Sequence, residues 1–178
     1  MFEGMARIVS TVNLGPERRA SFIHSLGDFH FAQRNWSAAA DSFHRALSLL
    51  PSNTAGFIGG LADLLNSVGH LAAAQDRSVQ AARMFGAESA SRERSGGPRL
   101  PVVQDAYDQA KAGLIAHLGD AAFEEAFQAG ALLTTPQAIH EAMAVTEELV
   151  HVPVNGAATG YDPPAFGFLS LRQRPSAV

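Results

Sequence analysis

ASFIHSLGDFHFAQRNWSAAADSF, residues 20–43, returns in outline as ADLLNSVGHLAAAQDRSVQAARMF, residues 62–85. Ala20, Ser25, Gly27, Ala32-Gln33, Ala39-Ala40 and Phe43 of the first stretch are matched by Ala62, Ser67, Gly69, Ala74-Gln75, Ala81-Ala82 and Phe85, and Leu26 by Val68. A self-similarity of this length marks a stack of helix hairpins, whose units bury their apolar faces only against neighbours. The fold class this implies is all-α.

Working outward, Ile23, Leu26, His30 and Phe31 recur at three- and four-residue steps and predict a helix over 19–34. Asn35 or Ser37 supplies the cap of the next helix. That helix carries Ala39, Ala40, Phe43, Ala46, Leu47 and Leu50 on one stripe and stops at Pro51. The second hairpin is expected at about 54–75 and 78–93. Residues 1–18 are poorly patterned, with a break at Gly15-Pro16.

Ser95-Gly96-Gly97-Pro98 opens a linker over 95–100, and Pro101 then starts a helix whose missing N–H costs nothing at that position. Val103, Tyr107, Ala110, Leu114 and Leu118 form its apolar face, and Gly119 closes it. Asp120 caps a shorter helix with Phe123 and Phe127 inward. Thr134 and Gln137 have capping-box spacing at the start of a last helix ending near Leu149. The expected layout is thus an N-terminal segment (1–18), two hairpins (19–94), the linker, a three-helix cap (101–149) and a Pro/Gly-rich tail (150–178). Seven helices and no strand are expected.

Composition bounds the function. Apolar residues make up 47% of the 178 and charged residues 17%, a globular balance, and the formal charge of −4 disfavours direct nucleic-acid binding. Lys111 is the only lysine among thirteen basic residues, which together with the abundant alanine reflects GC-rich coding. With no cysteine there is no disulfide framework, thiolate metal site or cysteine nucleophile. No apolar run reaches the ~18 residues a bilayer span needs, and Met1 to Leu14 lacks the pattern of a secretion signal. The expected location is the cytoplasm, with no membrane partner, and the sequon Asn35-Trp36-Ser37 is then incidental.

The first copy closely resembles the tetratricopeptide pattern. Leu26-Gly27 stands at its paired Leu-Gly, Ala39 at its small residue, Phe43 and Ala46 at its later packing positions and Pro51 at its closing Pro. Small residues at 27 and 39 let the helices approach, and Phe43 is expected to fill the gap toward the next hairpin. The second copy has Glu88 and Glu93 where Ala and Pro belong, and reads as degenerate.

A longer resemblance covers about residues 20–148. Ala72-Ala73-Ala74-Gln75, Ala81 to Ala87, Pro101 to Tyr107, Leu118-Gly119-Asp120-Ala121-Ala122-Phe123 and Gly130 to Ala138 are similar, in order and spacing, to the C-terminal helical region of actinobacterial LuxR-type and AfsR-like ATP-dependent transcriptional regulators. That family continues into a helix-turn-helix, whose opening Leu169-Ser170-Leu171-Arg172-Gln173-Arg174 resembles. Pro175 would fall inside the first helix of such a domain at a cost of ~3 kcal/mol, and no recognition helix follows. No Gly-x-x-x-x-Gly-Lys-Ser/Thr occurs, so phosphate cradling is not carried over. The resemblance implies a non-catalytic sensing region, truncated relative to the family. Its partners would be a protein or peptide, or the repeats and ATPase of a larger regulator.

Side chains capable of chemistry are scattered. His140-Glu141 opens like a zincin helix, but Ala144 stands where the second His is needed. Glu124-Glu125 and Glu147-Glu148 are adjacent in sequence and diverge on a helix. Arg92, Arg94 and Arg99 form a basic cluster read as a solvated turn. No catalytic residue, cofactor or metal ligand is assigned, and the chain is not expected to be an enzyme. In tetratricopeptide hairpins the first helix of each pair lines a groove. By the repeat alignment Ser21, His24, Asp28 and Phe31 would face it from the first copy, with Asp63, Asn66, His70 and Ala73 from the second. Such a set suits a peptide or partner helix. The alternative is a free-standing adaptor with no link to transcription. A hairpin lacking its neighbour would expose apolar surface, so self-association is expected.

Overall fold

A computed structural model describes residues 15–50 and 58–151 of the chain. The described residues form seven helices and no strand: α1 (Pro16–Ala32), α2 (Trp36–Ser48), α3 (Ile58–Ala74), α4 (Ser78–Ser95), α5 (Pro101–Leu118), α6 (Asp120–Ala131) and α7 (Thr135–Val150). The expected stop at Pro51, most of the N-terminal segment and the tail with its Leu169–Arg174 stretch lie outside the described residues. Among the described residues no helix is long and apolar enough to cross a membrane.

Gly15-Pro16 is not a break. Pro16 takes the first helical position of α1, where its fixed φ suits the helix and its missing N–H is no loss. Asn35 caps α2, its Oδ1 accepting the Ala38 N–H at 3.3 Å. Gln137 Oε1 accepts the Thr134 N–H at 2.9 Å, so the box foreseen at α7 is in use.

The repeat persists bond for bond in the turns. After α1, Arg34 takes a left-handed conformation (φ 57°), its N–H donating to Phe31 O and the Asn35 N–H to His30 O. After α3, Asp76 has φ 57°, its N–H donating to Ala73 O and the Arg77 N–H to Ala72 O. Both are Schellman turns, with a side chain where glycine is usual. Left-handed backbone costs a non-glycine residue roughly 1–2 kcal/mol, less for Asp than for Arg. Arg34→Gly is therefore expected to raise the melting temperature by about 2–4 °C, and Asp76→Gly by less. A calorimetric melt of each variant checks this, and a fall at either position would contradict it.

Each hairpin closes through one glycine and one phenylalanine. The Phe43 ring lies on Gly27 where a Cβ would clash with it, and a Cβ on Gly69 would come within 2.7 Å of the Phe85 ring. Phe43 thus fills a gap inside its own hairpin. The core runs through both: Phe31, Phe43, Phe85, Leu47, Leu61, Leu65 and Leu71 are almost wholly buried. Helix α3 sits centrally, packed against α1, α2, α4, α5 and α7, and from Leu61 to Ala74 only Asp63 is exposed.

The C-terminal helices do not simply follow the second hairpin. Helix α6 crosses α4 at Gly86 and Gly130, while α7 turns back to cover α2. Ser37 Oγ donates to Val150 O at 2.9 Å, His44 Nδ1 stands 3.1 Å from Thr146 Oγ1, and Arg83 of α4 forms a bidentate pair with Glu141, one arm at 2.7 Å. Among the described residues the exposed large apolar side chains are Val79, Leu100, Val102 and Leu132, none of them on α1 or α2.

Candidate functional site

Helical periodicity places Ser21, His24, Ser25 and Asp28 on one face of α1, and Asp63, Asn66 and Ser67 on one face of α3. These faces meet and line a cavity of about 460 Å³. Its third wall comes from Arg92 of α4, Pro98 and Leu100 of the 96–100 connection, and Val103 of α5. The volume lies in the usual range for a small-molecule or side-chain pocket.

The floor is polar and mostly buried. Ser67 Oγ donates to Asp28 Oδ1 at 2.8 Å, and His24 Nε2 approaches Ser67 Oγ at 2.9 Å and Asp28 Oδ1 at 3.5 Å. Burial pushes the Asp28 carboxyl up from its ordinary value, against the opposing pull of His24 and the Ser67 hydroxyl. The trio contains the residue types of a hydrolytic triad in the wrong order. A triad sets the imidazole between serine and carboxylate, using its two nitrogens. Here the serine stands between, its hydroxyl donating to Asp28, and one imidazole nitrogen faces both partners. The arrangement holds two helices together and presents acceptors; it does not activate a nucleophile. Asn66, 3% exposed, completes the floor, and its Oδ1 has no hydrogen-bond partner.

The wall is set by a buried acid. Glu88, expected to mark a degenerate repeat, is wholly buried on α4. It accepts from Arg92 Nε at 2.6 Å and Arg99 Nε at 3.1 Å, and forms a second ion pair with Arg99. Arg92 reaches on to Asp63 Oδ1 at 2.7 Å, and the Arg99 guanidinium stacks 3.7 Å above the Tyr107 ring. Burial raises the Tyr107 hydroxyl to about 12. Arg92 and Arg99 are therefore not a solvated turn. Charge-assisted bonds to one buried carboxylate fold the 96–100 connection back onto α4 and set its apolar residues beside the cavity.

Of the expected groove residues, Ser21, His24, Asp28, Asp63 and Asn66 come together in this cavity. Phe31 and His70 do not, and Ala73 does not line it either. Phe31 is wholly buried in the hairpin, its ring edge-on to Trp36 with centroids 5.2 Å apart. His70 is wholly buried against Phe85, at 5.2 Å between centroids, and Tyr107 of α5 packs on the same ring at 5.1 Å. In the second hairpin α5 lies over the surface that a bare array would leave open. Ser25, Ser67 and Arg92 were missed. The two serines carry a visible signal: they are identical in both copies and lie one turn beyond Ser21 and Asp63.

No family model, curated protein or solved structure matches this chain.

Proposed function

We propose that the chain is a non-catalytic recognition module. Two tetratricopeptide-like hairpins present the α1/α3 cavity to a peptide or partner protein, in the manner of the sensing region of LuxR-type ATP-dependent transcriptional regulators. The observation that carries this reading is the convergence of repeat-equivalent positions. Ser21 with Asp63, His24 with Asn66, and Ser25 with Ser67 line one cavity, although each pair is 42 residues apart in sequence. An array that reuses equivalent positions of successive hairpins to build one concave surface is suited to binding an extended partner. Occupancy would bias whatever the module contacts through population shift.

One observation favours a second reading, the free-standing adaptor. Helix α7 covers α2 through bonds to Ser37 and His44, so the first hairpin meets a neighbour within its own chain. Both readings share one test. Peptides selected from a random display library against the purified chain are expected to shift the amide resonances of Ser25, Asn66 and Ser67. They are also expected to lose binding to Ser25→Trp, a change at an exposed rim position that fills the cavity. Selected peptides that perturb only residues outside α1 and α3, or selection that enriches nothing, would overturn it.

A further inference from the structure

Several donors on the lining are committed: Arg92 is shared between Glu88 and Asp63, the Ser67 hydroxyl donates to Asp28, and Ser25 Oγ donates to Ser21 O within its helix. Acceptor capacity is left over. Asn66 Oδ1 is buried with no partner, a state that ordinarily costs about 1–3 kcal/mol and calls for an explanation. Two carboxylates, Asp28 and Asp63, face the same space, with Arg92 the single arginine or lysine on the lining. A ligand that donates hydrogen bonds and carries positive charge meets all of these demands.

The remaining wall fixes the rest of the ligand. Pro98, Leu100 and Val103 are apolar, and Leu100 is 69% exposed beside the opening. A saturated chain leading to a cationic head would cover that surface, as lysine stems cover apolar patches elsewhere.

We propose that the cavity is a receptor for a primary ammonium group on an aliphatic chain, met by Asn66, Asp28 and Asp63 and flanked by Leu100 and Val103. This rests on the recognition reading above and names its chemistry. A lysine side chain of a partner peptide and a free aliphatic diamine share that chemistry. Asp28, whose charged form is penalised by burial, gains a counter-charge when such a head binds.

The test is calorimetric titration of the chain with Nα-acetyl-lysine N-methylamide, its Nε-acetyl derivative, and 1,5-diaminopentane. The lysine amide is expected to bind and the acetylated form, which has lost the charge, to bind at least about tenfold more weakly. Asn66→Leu and the exposed-rim variant Asp63→Asn are each expected to weaken the lysine amide by about tenfold. Asp63→Asn keeps the test valid should Asn66→Leu fail to fold. Tighter binding of the lysine amide than the diamine assigns the site to a peptide, and the reverse order to a free amine. Equal binding of the amide and its acetylated form, or loss in neither variant, would overturn the proposal. If library peptides without lysine still shift Ser25 and Ser67, the recognition reading survives while the ammonium assignment fails. If no peptide reaches the cavity, both fail.

Discussion

Alanine at Gly86 or Gly130 is expected to destabilise the chain by about 3 kcal/mol, the upper part of the range for overpacking a core. Helices α4 and α6 cross at these two glycines. A Cβ on Gly86 would overlap the Phe127 carbonyl oxygen and lie 2.9 Å from its carbon, and one on Gly130 would overlap the Arg83 carbonyl in the same way. Both obstacles are backbone, which no rotamer change relieves, so the helices must separate and uncover Phe123 and Ala126. The sign makes the prediction sharp. Glycine to alanine inside a helix ordinarily stabilises by roughly 0.5–1 kcal/mol. Gly113, exposed on α5 with nothing within 4 Å of a Cβ, is the control expected to show that gain. Urea unfolding of the three variants compares them directly, and a gain at Gly86 or Gly130 matching that at Gly113 would mean the crossing is not close.

The second large effect is on pH dependence. His70 is wholly buried, and burial lowers its pKa from 6.5 to about 3. Below 6.5 the unfolded chain takes up a proton that the folded chain refuses. The stability His70 contributes is complete above pH 6.5 and is lost as the pH falls toward 3, at about 1.4 kcal/mol per pH unit. By pH 4.5 the loss amounts to about 3 kcal/mol. Asp28 acts with the opposite sign. Its raised pKa adds stability below the ordinary carboxylate value, and that part is lost as pH rises through the raised one. Denaturant midpoints at pH 7.5, 6 and 4.5 for the native chain and His70→Leu separate the imidazole from the carboxylates. The leucine variant is expected to be distinctly less sensitive to acid, and parallel profiles would remove His70 from the account.

Much of the fold was legible because its signals are local. The caps at Asn35 and Thr134 each lie at one helix start, and the repeated pattern of 20–43 in 62–85 is carried by spacing within each copy, so both can be read without knowing what packs on them. What was hidden depends on which distant segment arrives. The close approach of Gly86 and Gly130 is of this kind, since nothing in either stretch names the other. His70 occupies the repeat position of Asp28, yet only Asp28 lines the cavity, while His70 is buried against Phe85, on whose ring Tyr107 of α5 also packs. Analogy between the copies puts Phe31 in a groove, while in the structure its ring is wholly buried and edge-on to Trp36. Glu88 looked like a defect in the pattern. Its partner Arg92 is one turn away and was readable, but Arg99 reaches it only after the chain reverses at Gly96.

The return of α7 onto α2 also has a history in time. Ser37 and Val150 are 113 residues apart. At a synthesis rate of about 5–20 residues per second, a nascent chain holds α2 ready for roughly 5–25 seconds before its cover leaves the ribosome. During that interval the first hairpin can close on Gly27 and Phe43, but it is left one-sided. A pause in translation after α4 would lengthen the wait, and release of a chain lacking α7 would make it permanent.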